Sequence, residues 1–301
     1  MPKNGDAGED GEEAMQLEGS GDGKERPKNP NTRGPRDRRF RFNRVKVFAI
    51  AGVVCIVVIL LVAWFVFAAL SGGTQEWLES IPGSNHHPES SSPGSLILFE
   101  RTDEKSYKPW TGVIQKFLEG YNNSAENVVQ CGYDKPPSAG QVCEVKMDEF
   151  GNCNKENDFG YPEGKPCVFL KFNKVVDWVP EFYNDSNNLP EDMPVDLKKH
   201  IQEMERKDVL NLKTIWVSCE GSETADKEKM GSIDYLPRRG FPGYYFPYNS
   251  TENYMSPLVA IPFENPEPGT LVNVECRVWA PNIEYNKDKG VGLVRFEVWV
   301  N

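Results

Sequence analysis

The longest apolar run in the chain extends from Val47 to Leu70, reads VFAIAGVVCIVVILLVAWFVFAAL and contains no charged residue. As an α-helix at 1.5 Å per residue it would be roughly 36 Å long, which exceeds the ~30 Å hydrocarbon core of a bilayer. A cleaved signal peptide has a shorter apolar stretch, and a buried core helix is rarely apolar on all sides over this length. The pattern therefore predicts one transmembrane helix over residues 47–70, surrounded by membrane lipid.

The charges on the two sides of this run differ in sign. Segment 33–46 carries seven basic residues and one acidic residue, whereas Glu76 and Glu79 follow the run and no Lys or Arg occurs before Arg101. Positive charge is retained on the cytosolic side of a membrane. We therefore predict a type II protein with a cytoplasmic N-terminus, in which residues 71–301 face the outside or an organelle lumen.

The segments on either side of the predicted span have little apolar content. Residues 1–46 are rich in Gly, Glu, Asp, Lys and Pro and end in the basic run, so they are predicted to be a disordered cytoplasmic tail. Residues 71–95 include the Pro-, Gly- and Ser-rich stretch from Pro82 to Ser95 and are predicted to be an irregular stem. A folded domain is expected over residues 96–301.

Short strands separated by Gly, Pro and Asn dominate the pattern beyond the stem. LVNVECRVW and VGLVRFEVWV alternate between apolar and polar positions, as half-buried antiparallel strands do, while CVFLKF, TIWVSC and PLVAIPF are short apolar runs. Several such strands suggest a β-sandwich. Apolar residues recur at helical spacing in SYKPWTGVIQKFLEGY, and DLKKHIQEMERK (Asp196–Lys207) predicts a second helix mounted on the surface.

Charge and motif content narrow the function classes. The formal net charge is −11, which argues against a nucleic-acid-binding protein. Residues 1–46 contribute 11 basic and 9 acidic groups and residues 71–301 contribute 23 and 36, so the acidity belongs to the predicted outer part. Type II topology is also typical of luminal glycosyltransferases, but residues 71–301 lack Asp-x-Asp and the common hydrolase and nucleotide motifs. No catalytic residue, metal site or cofactor is predicted.

Six of the seven cysteines lie beyond the predicted span. An even number in an exported region predicts three disulfides, whereas no C-x2-C pair and only three histidines argue against zinc. Spacing leaves the connectivity open, although Cys276 lies on the apolar face of its strand and Cys219, which ends TIWVSC, is a natural partner. The six residues are Cys131, Cys143, Cys153, Cys167, Cys219 and Cys276.

Two surface features remain. Three N-glycosylation sequons begin at Asn122, Asn184 and Asn249, all in the part predicted to lie outside. Segment Gly240–Tyr254, GFPGYYFPYNSTENY, holds four Tyr, two Phe and two Pro, which is unusually aromatic for a loop. It is either a contact surface for a partner or a Pro-stiffened loop folded over its own domain, and the residues alone do not favour one of these.

Several motifs together resemble the beta subunit family of the sodium/potassium-transporting ATPase and its proton/potassium pump relatives. The matches occur in family order and span most of the outer part. They are SY at Ser106–Tyr107, GNC at Gly151–Cys153, FGYPEGKPCVFLKFNKV at Phe159–Val175, VSCEG at Val217–Gly221, GSIDY at Gly231–Tyr235, GYYFPY at Gly243–Tyr248, SPLVAIPF at Ser256–Phe263, VEC at Val274–Cys276 and NIEY at Asn282–Tyr285.

The resemblance implies an immunoglobulin-like antiparallel β-sandwich with a peripheral helix, in a plasma-membrane protein. It implies disulfides Cys131–Cys143, Cys153–Cys167 and Cys219–Cys276, the last of which would staple the sandwich. It also implies a noncatalytic partner that escorts the catalytic alpha subunit of a P-type cation pump from the endoplasmic reticulum and tunes its potassium affinity. The long Gly- and acid-rich tail and a span without tyrosine are expected of a divergent invertebrate member.

By the same resemblance, the aromatic motif is expected to contact the alpha subunit in a heterodimer. The motif residues are Tyr244, Tyr245, Phe246, Pro247 and Tyr248. In the predicted span, where family members carry tyrosines, Trp64, Phe65 and the small Gly52 are expected to make the contacts. The alternative hypotheses are a beta-like glycoprotein that acts in cell adhesion or another complex, pairing with a proton/potassium pump, and a type II luminal enzyme.

Overall fold

The structure is a computed structural model that describes residues 50, 52–64, 76–82, 96–122 and 124–301. The chain divides into two units, Met1–Gly72 and Gly73–Asn301. In the first unit, residue 50 and residues 52–64 form a helix, α1, whose described side chains are exposed. Within the described residues, no helix is long and apolar enough to cross a membrane. The tail (1–46), the rest of the predicted span and positions 71–75 and 83–95 of the predicted stem lie outside the described residues.

The second unit contains ten strands, three helices and four short 3-10 turns within the described residues. The strands are β1 Leu78–Ile81, β2 Leu96–Phe99, β3 Val128–Val129, β4 Val142–Cys143, β5 Cys167–Phe172, β6 Thr214–Gly221, β7 Gly240–Pro242, β8 Leu258–Pro262, β9 Leu271–Trp279 and β10 Leu293–Val300. The helices are α2 Glu104–Glu119, α3 Val195–Lys207 and α4 Thr224–Lys229. The 3-10 turns cover Met147–Phe150, Lys155–Gly160, Val209–Leu212 and Gly243–Tyr245.

Two sheets form the body of this unit. Strands run in the order β1-β5-β8 in one sheet and β2-β10-β9-β6-β7 in the other, and β3 pairs with β4 separately. Most neighbours are antiparallel, but β2 with β10 and β3 with β4 are parallel. The prediction of an antiparallel sandwich is therefore wrong at these two pairs, because the composition of a strand of two to four residues does not encode its direction.

One apolar core joins the two sheets. Phe172 of β5 contacts Phe241 of β7 with ring centroids 5.4 Å apart, and Phe263 contacts Phe296 of β10 at 6.3 Å. The predicted alternation of β9 is confirmed, since Val272, Val274, Cys276 and Val278 are all buried. β5 and β8 are instead buried along nearly their whole length, which is why their sequences are continuous apolar runs.

The two predicted helices are present. α2 begins after Asp103, whose side chain accepts from the backbone N–H of Lys105 at 3.0 Å. Its buried face includes Trp110, whose indole Nε1 donates to the carbonyl of Leu98 at 2.9 Å and so attaches the helix to β2. α3 buries Leu197 and Ile201 in a smaller cluster with Met193, Leu212, Trp216 and Trp279. α4 has six residues, too few to show a helical period, and was not predicted.

The folded unit begins earlier than the predicted boundary at residue 96. β1 lies inside the predicted stem (71–95) but pairs with β5, with Leu78 opposite Phe172 and Ile81 opposite Phe169. Trp77, Leu78 and Ile81 are buried in the main core. A strand of four residues is too short for its alternation to stand out beside the Pro- and Ser-rich stretch that follows, which explains the error.

Three disulfides are present in the described part of the chain, and they are the three pairs that the family resemblance implies: Cys131–Cys143, Cys153–Cys167 and Cys219–Cys276. Cys219 and Cys276 are directly opposed residues of the neighbouring strands β6 and β9. This disulfide therefore links two strands of one sheet, and the expectation that it would staple the two layers together is wrong. Aromatic contacts across the core join the layers.

Gly160 occupies a position that only glycine fits. Its φ of +78° lies in the left-handed region, and a Cβ there would be 2.2 Å from the carbonyl oxygen of Lys165. Gly290 has a similar φ of +68°, but a Cβ at this residue would meet no atom within 4 Å. Comparison of the two positions separates backbone strain from the effect of crowding.

We predict that Gly160→Ala lowers the free energy of unfolding by more than about 3 kcal/mol, because strain and a backbone collision add. The control Gly290→Ala should cost only ~1–2 kcal/mol, the cost of a left-handed alanine. Denaturant unfolding of the purified chain in detergent, followed by near-ultraviolet circular dichroism, measures both. Equal losses in the two variants would contradict the close approach at Gly160.

Candidate functional site

The aromatic segment Gly240–Tyr254 leaves the edge of the five-stranded sheet and turns back over the domain. It begins as β7, in which Gly240, Phe241 and Pro242 pair with the first residues of β6. The backbone N–H of Gly243 donates to the carbonyl of Lys213 at 2.8 Å, and a 3-10 turn then covers Gly243–Tyr245. The start of the segment is therefore fixed by the sheet.

Two of the predicted contact residues point into the domain. The hydroxyl of Tyr245 donates to the carbonyl of Glu144 at 2.8 Å, and burial raises the pKa of this hydroxyl above its ordinary range. The ring of Phe246 lies 4.9 Å from that of Phe172 and 5.7 Å from that of Trp178, edge to face in both cases. These two side chains anchor the segment to the core.

Tyr244 is half-buried on the outer side of the same turn. Its ring lies 5.3 Å from that of Tyr133, which is held in place by the Cys131–Cys143 loop. The guanidinium of Arg238 is 5.7 Å from the centre of the Tyr133 ring, within range of a cation–π contact. Burial raises the pKa of Tyr244, and the nearby Arg238 opposes that shift.

Tyr248 lies further along the segment and pairs with Tyr254, with ring centroids 4.8 Å apart. The ammonium of Lys174 is 5.4 Å from the Tyr248 ring and 5.7 Å from the Tyr254 ring. The carbonyl of Tyr248 accepts from the backbone N–H of Asp177 at 3.0 Å, which ties the segment to the loop after β5. Pro247, between the two groups of rings, is exposed.

The outward side chains form one feature, which we call the aromatic surface: Tyr133, Arg238, Tyr244, Pro247, Tyr248 and Tyr254. A cleft of about 350 Å³ opens beside it and is lined in part by Tyr133, Phe182, Tyr244 and Asn249. The arrangement presents aromatic rings that are already held in a fixed orientation, with the guanidinium of Arg238 beside them. Such surfaces suit contacts with another protein, because tyrosine loses little conformational entropy on binding.

The composition of the sequence identified the aromatic segment, but it did not show which of its side chains face inward and which face outward. Of the five predicted contact residues, Tyr245 and Phe246 face inward, whereas Tyr244, Pro247 and Tyr248 belong to the aromatic surface. Tyr133 and Lys174 were missed because they are distant in sequence from the segment, whereas Arg238 was missed although it lies only two residues before Gly240. The only sequence signal for Tyr133 was its position between two cysteines.

The other predicted site residues are placed as follows. Gly52 and Trp64 are exposed residues of α1, and Phe65 lies outside the described residues. The sequon asparagines Asn122, Asn184 and Asn249 are all exposed, as attachment of a glycan requires. Neither observation tests the predicted contacts or glycosylation, which stay predictions.

The family model for the sodium/potassium ATPase beta chain matches residues 44–296. The chain belongs to this family. It is 40% identical over 253 residues to sodium/potassium-transporting ATPase subunit beta-2 of Drosophila melanogaster, covering 79% of this chain and 78% of the relative. It is 39% identical to subunit beta-1 of the same fly over 72% of this chain and 70% of the relative.

A nematode relative extends the comparison. The probable sodium/potassium-transporting ATPase subunit beta-3 of Caenorhabditis briggsae is 30% identical over 236 residues, or 76% of this chain and 65% of that protein. These relatives are invertebrate proteins, in agreement with the expectation from the sequence. The family match includes the whole of the predicted span, residues 47–70, as well as the aromatic surface.

We predict that Tyr245→Phe lowers the free energy of unfolding by ~1 kcal/mol, because it removes a partly buried hydrogen bond and leaves the carbonyl of Glu144 without this donor. In a domain of this size the melting temperature should fall by about 2–4 °C. The matched control Tyr244→Phe keeps its ring contacts and should melt as the unmodified chain does. A Tyr244→Phe variant as unstable as Tyr245→Phe would contradict the assignment of inward and outward roles.

Proposed function

We propose that the chain is the noncatalytic beta subunit of a sodium/potassium-transporting P-type ATPase. It pairs with the catalytic alpha subunit, supports the folding and plasma-membrane delivery of that subunit, and modulates potassium affinity. Membership of the beta-chain family over residues 44–296 is the observation that carries this proposal. ATP hydrolysis would take place on the alpha subunit.

The aromatic surface is the part of the described domain that we assign to alpha-subunit contact. Tyr244 and Tyr248 are half-buried in the isolated chain, and their rings are held by Tyr133 and Tyr254 in a fixed orientation. Binding to preordered rings costs less entropy than ordering a flexible loop. Arg238 and Lys174 add positive charge beside the rings, which suits a partner surface with acidic or carbonyl groups.

We further propose the topology that the sequence predicts. Residues 1–46 form the cytoplasmic tail, residues 47–70 cross the membrane once, and the outer part carries an immunoglobulin-like sandwich. Trp64, Phe65 and Gly52 contact the alpha subunit within the membrane. The basic run before the span and the acidic residues after it support this orientation.

The alternatives of an adhesion glycoprotein without a pump, and of pairing with a proton/potassium pump, have less support, because the relatives compared are all named as sodium/potassium-pump subunits.

Co-expression with an invertebrate alpha subunit tests the pairing. We predict that alpha reaches the cell surface and transports rubidium only when the chain is present. The double variant Tyr244→Ala/Tyr248→Ala should lower recovery of alpha about tenfold, as expected for loss of ~1.4 kcal/mol of contact energy. Val209→Ala, at an exposed valine outside the aromatic surface, is the control. Equal alpha delivery without the chain would refute the proposed function, and full recovery with the double variant would refute the assigned surface.

Protease digestion of sealed microsomes tests the topology. Because positive charge stays cytosolic, a protease added outside the vesicles should remove the tail and leave the disulfide-bonded domain intact. Alkaline extraction should leave the chain in the membrane pellet, as expected of a spanning helix. Detergent-opened vesicles are the control, in which the domain becomes accessible. Digestion of the domain in sealed vesicles would show the opposite orientation.

A further inference from the structure

One of the three sequons lies directly beside the aromatic surface. Asn249 directly follows Tyr248, is exposed, and lines the same cleft as Tyr133, Phe182 and Tyr244. The next residue, Ser250, has a left-handed φ of 55°, and the backbone N–H of Tyr254 donates to the carbonyl of Thr251 at 3.3 Å. The chain therefore turns tightly at the sequon, and Asn249 is held at the rim of the cleft.

An N-linked glycan at this position would compete with a protein partner for the same space. Such glycans are bulky, branched and strongly hydrated. The cleft of about 350 Å³ is too small to hold a branched oligosaccharide, and Tyr244, Pro247 and Tyr254 of the aromatic surface line it beside Asn249, so a glycan at its rim would occupy space next to these side chains. A partner seated on Tyr244 and Tyr248 would have to displace the sugar or bury its hydroxyl groups, and burial of unpaired hydroxyls is unfavourable.

We infer that glycosylation of Asn249 and docking of the alpha subunit exclude one another, so that the alpha-bound chain is unmodified at Asn249 and the unpaired chain carries the glycan. This inference rests on the proposed function, and it adds that glycosylation regulates docking of the alpha subunit at the aromatic surface. In the modification, the amide Nδ2 loses a proton and forms a bond to the anomeric carbon of a lipid-diphosphate-linked oligosaccharide. The bond from that carbon to the diphosphate oxygen breaks, and the lipid diphosphate leaves with the electron pair.

The other two sequons provide an internal comparison. Asn122 follows α2 and lines a different cleft, together with Tyr121 and Lys146. Asn184 is exposed in the loop before α3, and the hydroxyl of its sequon residue Ser186 contacts the carboxylate of Glu205 in that helix. Neither asparagine lines the cleft beside the aromatic surface. Glycans at Asn122 and Asn184 should therefore be equally frequent in paired and unpaired chains.

Glycan occupancy in the two pools tests the inference. The full chain is co-expressed with a tagged alpha subunit, the complex is captured in mild detergent, and the unbound chain is recovered from the flow-through. Enzymatic removal of the glycans in oxygen-18 water then converts each formerly modified asparagine to an isotope-labelled aspartate, which mass spectrometry detects. We expect occupancy of Asn249 to be at least about tenfold lower in the captured pool, which corresponds to ~1.4 kcal/mol of exclusion. Asn122 should show no such difference.

Sequon variants provide a second readout. Thr251→Ala removes the sequon but keeps Asn249, and it should increase the fraction of chain captured with alpha. Thr251→Ser retains a sequon and should show the glycan distribution of the unmodified chain. Asn122→Gln, which removes a glycan at a different cleft from the one that Asn249 lines, should leave the captured fraction unchanged.

The outcomes separate the two proposals. If no alpha subunit is captured with any variant, the proposed function itself fails. If alpha is captured and the captured chain is glycosylated at Asn249 as often as the free chain, only the exclusion is refuted. A site that is unmodified in both pools also refutes the inference, because the sequon would then not divide the chain into two populations.

Discussion

The contact of Phe172 with four other aromatic rings is the interaction on which the packing of the second unit, Gly73–Asn301, depends. Its ring lies 6.0 Å from Trp77, 5.6 Å from Trp178, 5.4 Å from Phe241 and 4.9 Å from Phe246. These residues come from the start of the folded unit, the loop after β5, strand β7 and the aromatic segment. The buried side chain of Phe172 thus connects both sheets with the loop after β5 and with the aromatic segment.

This constraint explains why an exposed aromatic segment can keep a defined shape. Phe246 and Tyr245 are partly buried and pack against the core, and they hold the segment that presents Tyr244, Pro247 and Tyr248 outward. The interior positions provide stability and the exterior positions provide contact area, an arrangement that lowers the entropy cost of binding. The family relationship and the geometry are consistent with one role, a noncatalytic partner for a catalytic subunit that carries the chemistry.

The sequence predicted those elements whose pattern extends over several residues. The alternation in β9 predicted a strand, the helical stripe of α2 predicted a helix and the even number of cysteines beyond residue 70 predicted three disulfides, and all of these are present. Shorter elements were missed: β1 and α4 have four and six residues, and the parallel direction of β2 depends on its neighbour β10. The aromatic segment was identified by composition, but which rings face inward depends on Phe172 and Glu144, which are distant in sequence from that segment.

The most direct test of the account is a photo-crosslinking residue placed at Tyr248 of the full chain in cells that also express the alpha subunit. We expect a covalent adduct with alpha from position 248 and none from an equivalent probe at Val209, which is exposed elsewhere on the domain. Absence of an alpha adduct at position 248 in a complex that still assembles, or an adduct from position 209 alone, would contradict the central claim that the aromatic surface is where the pump subunits meet.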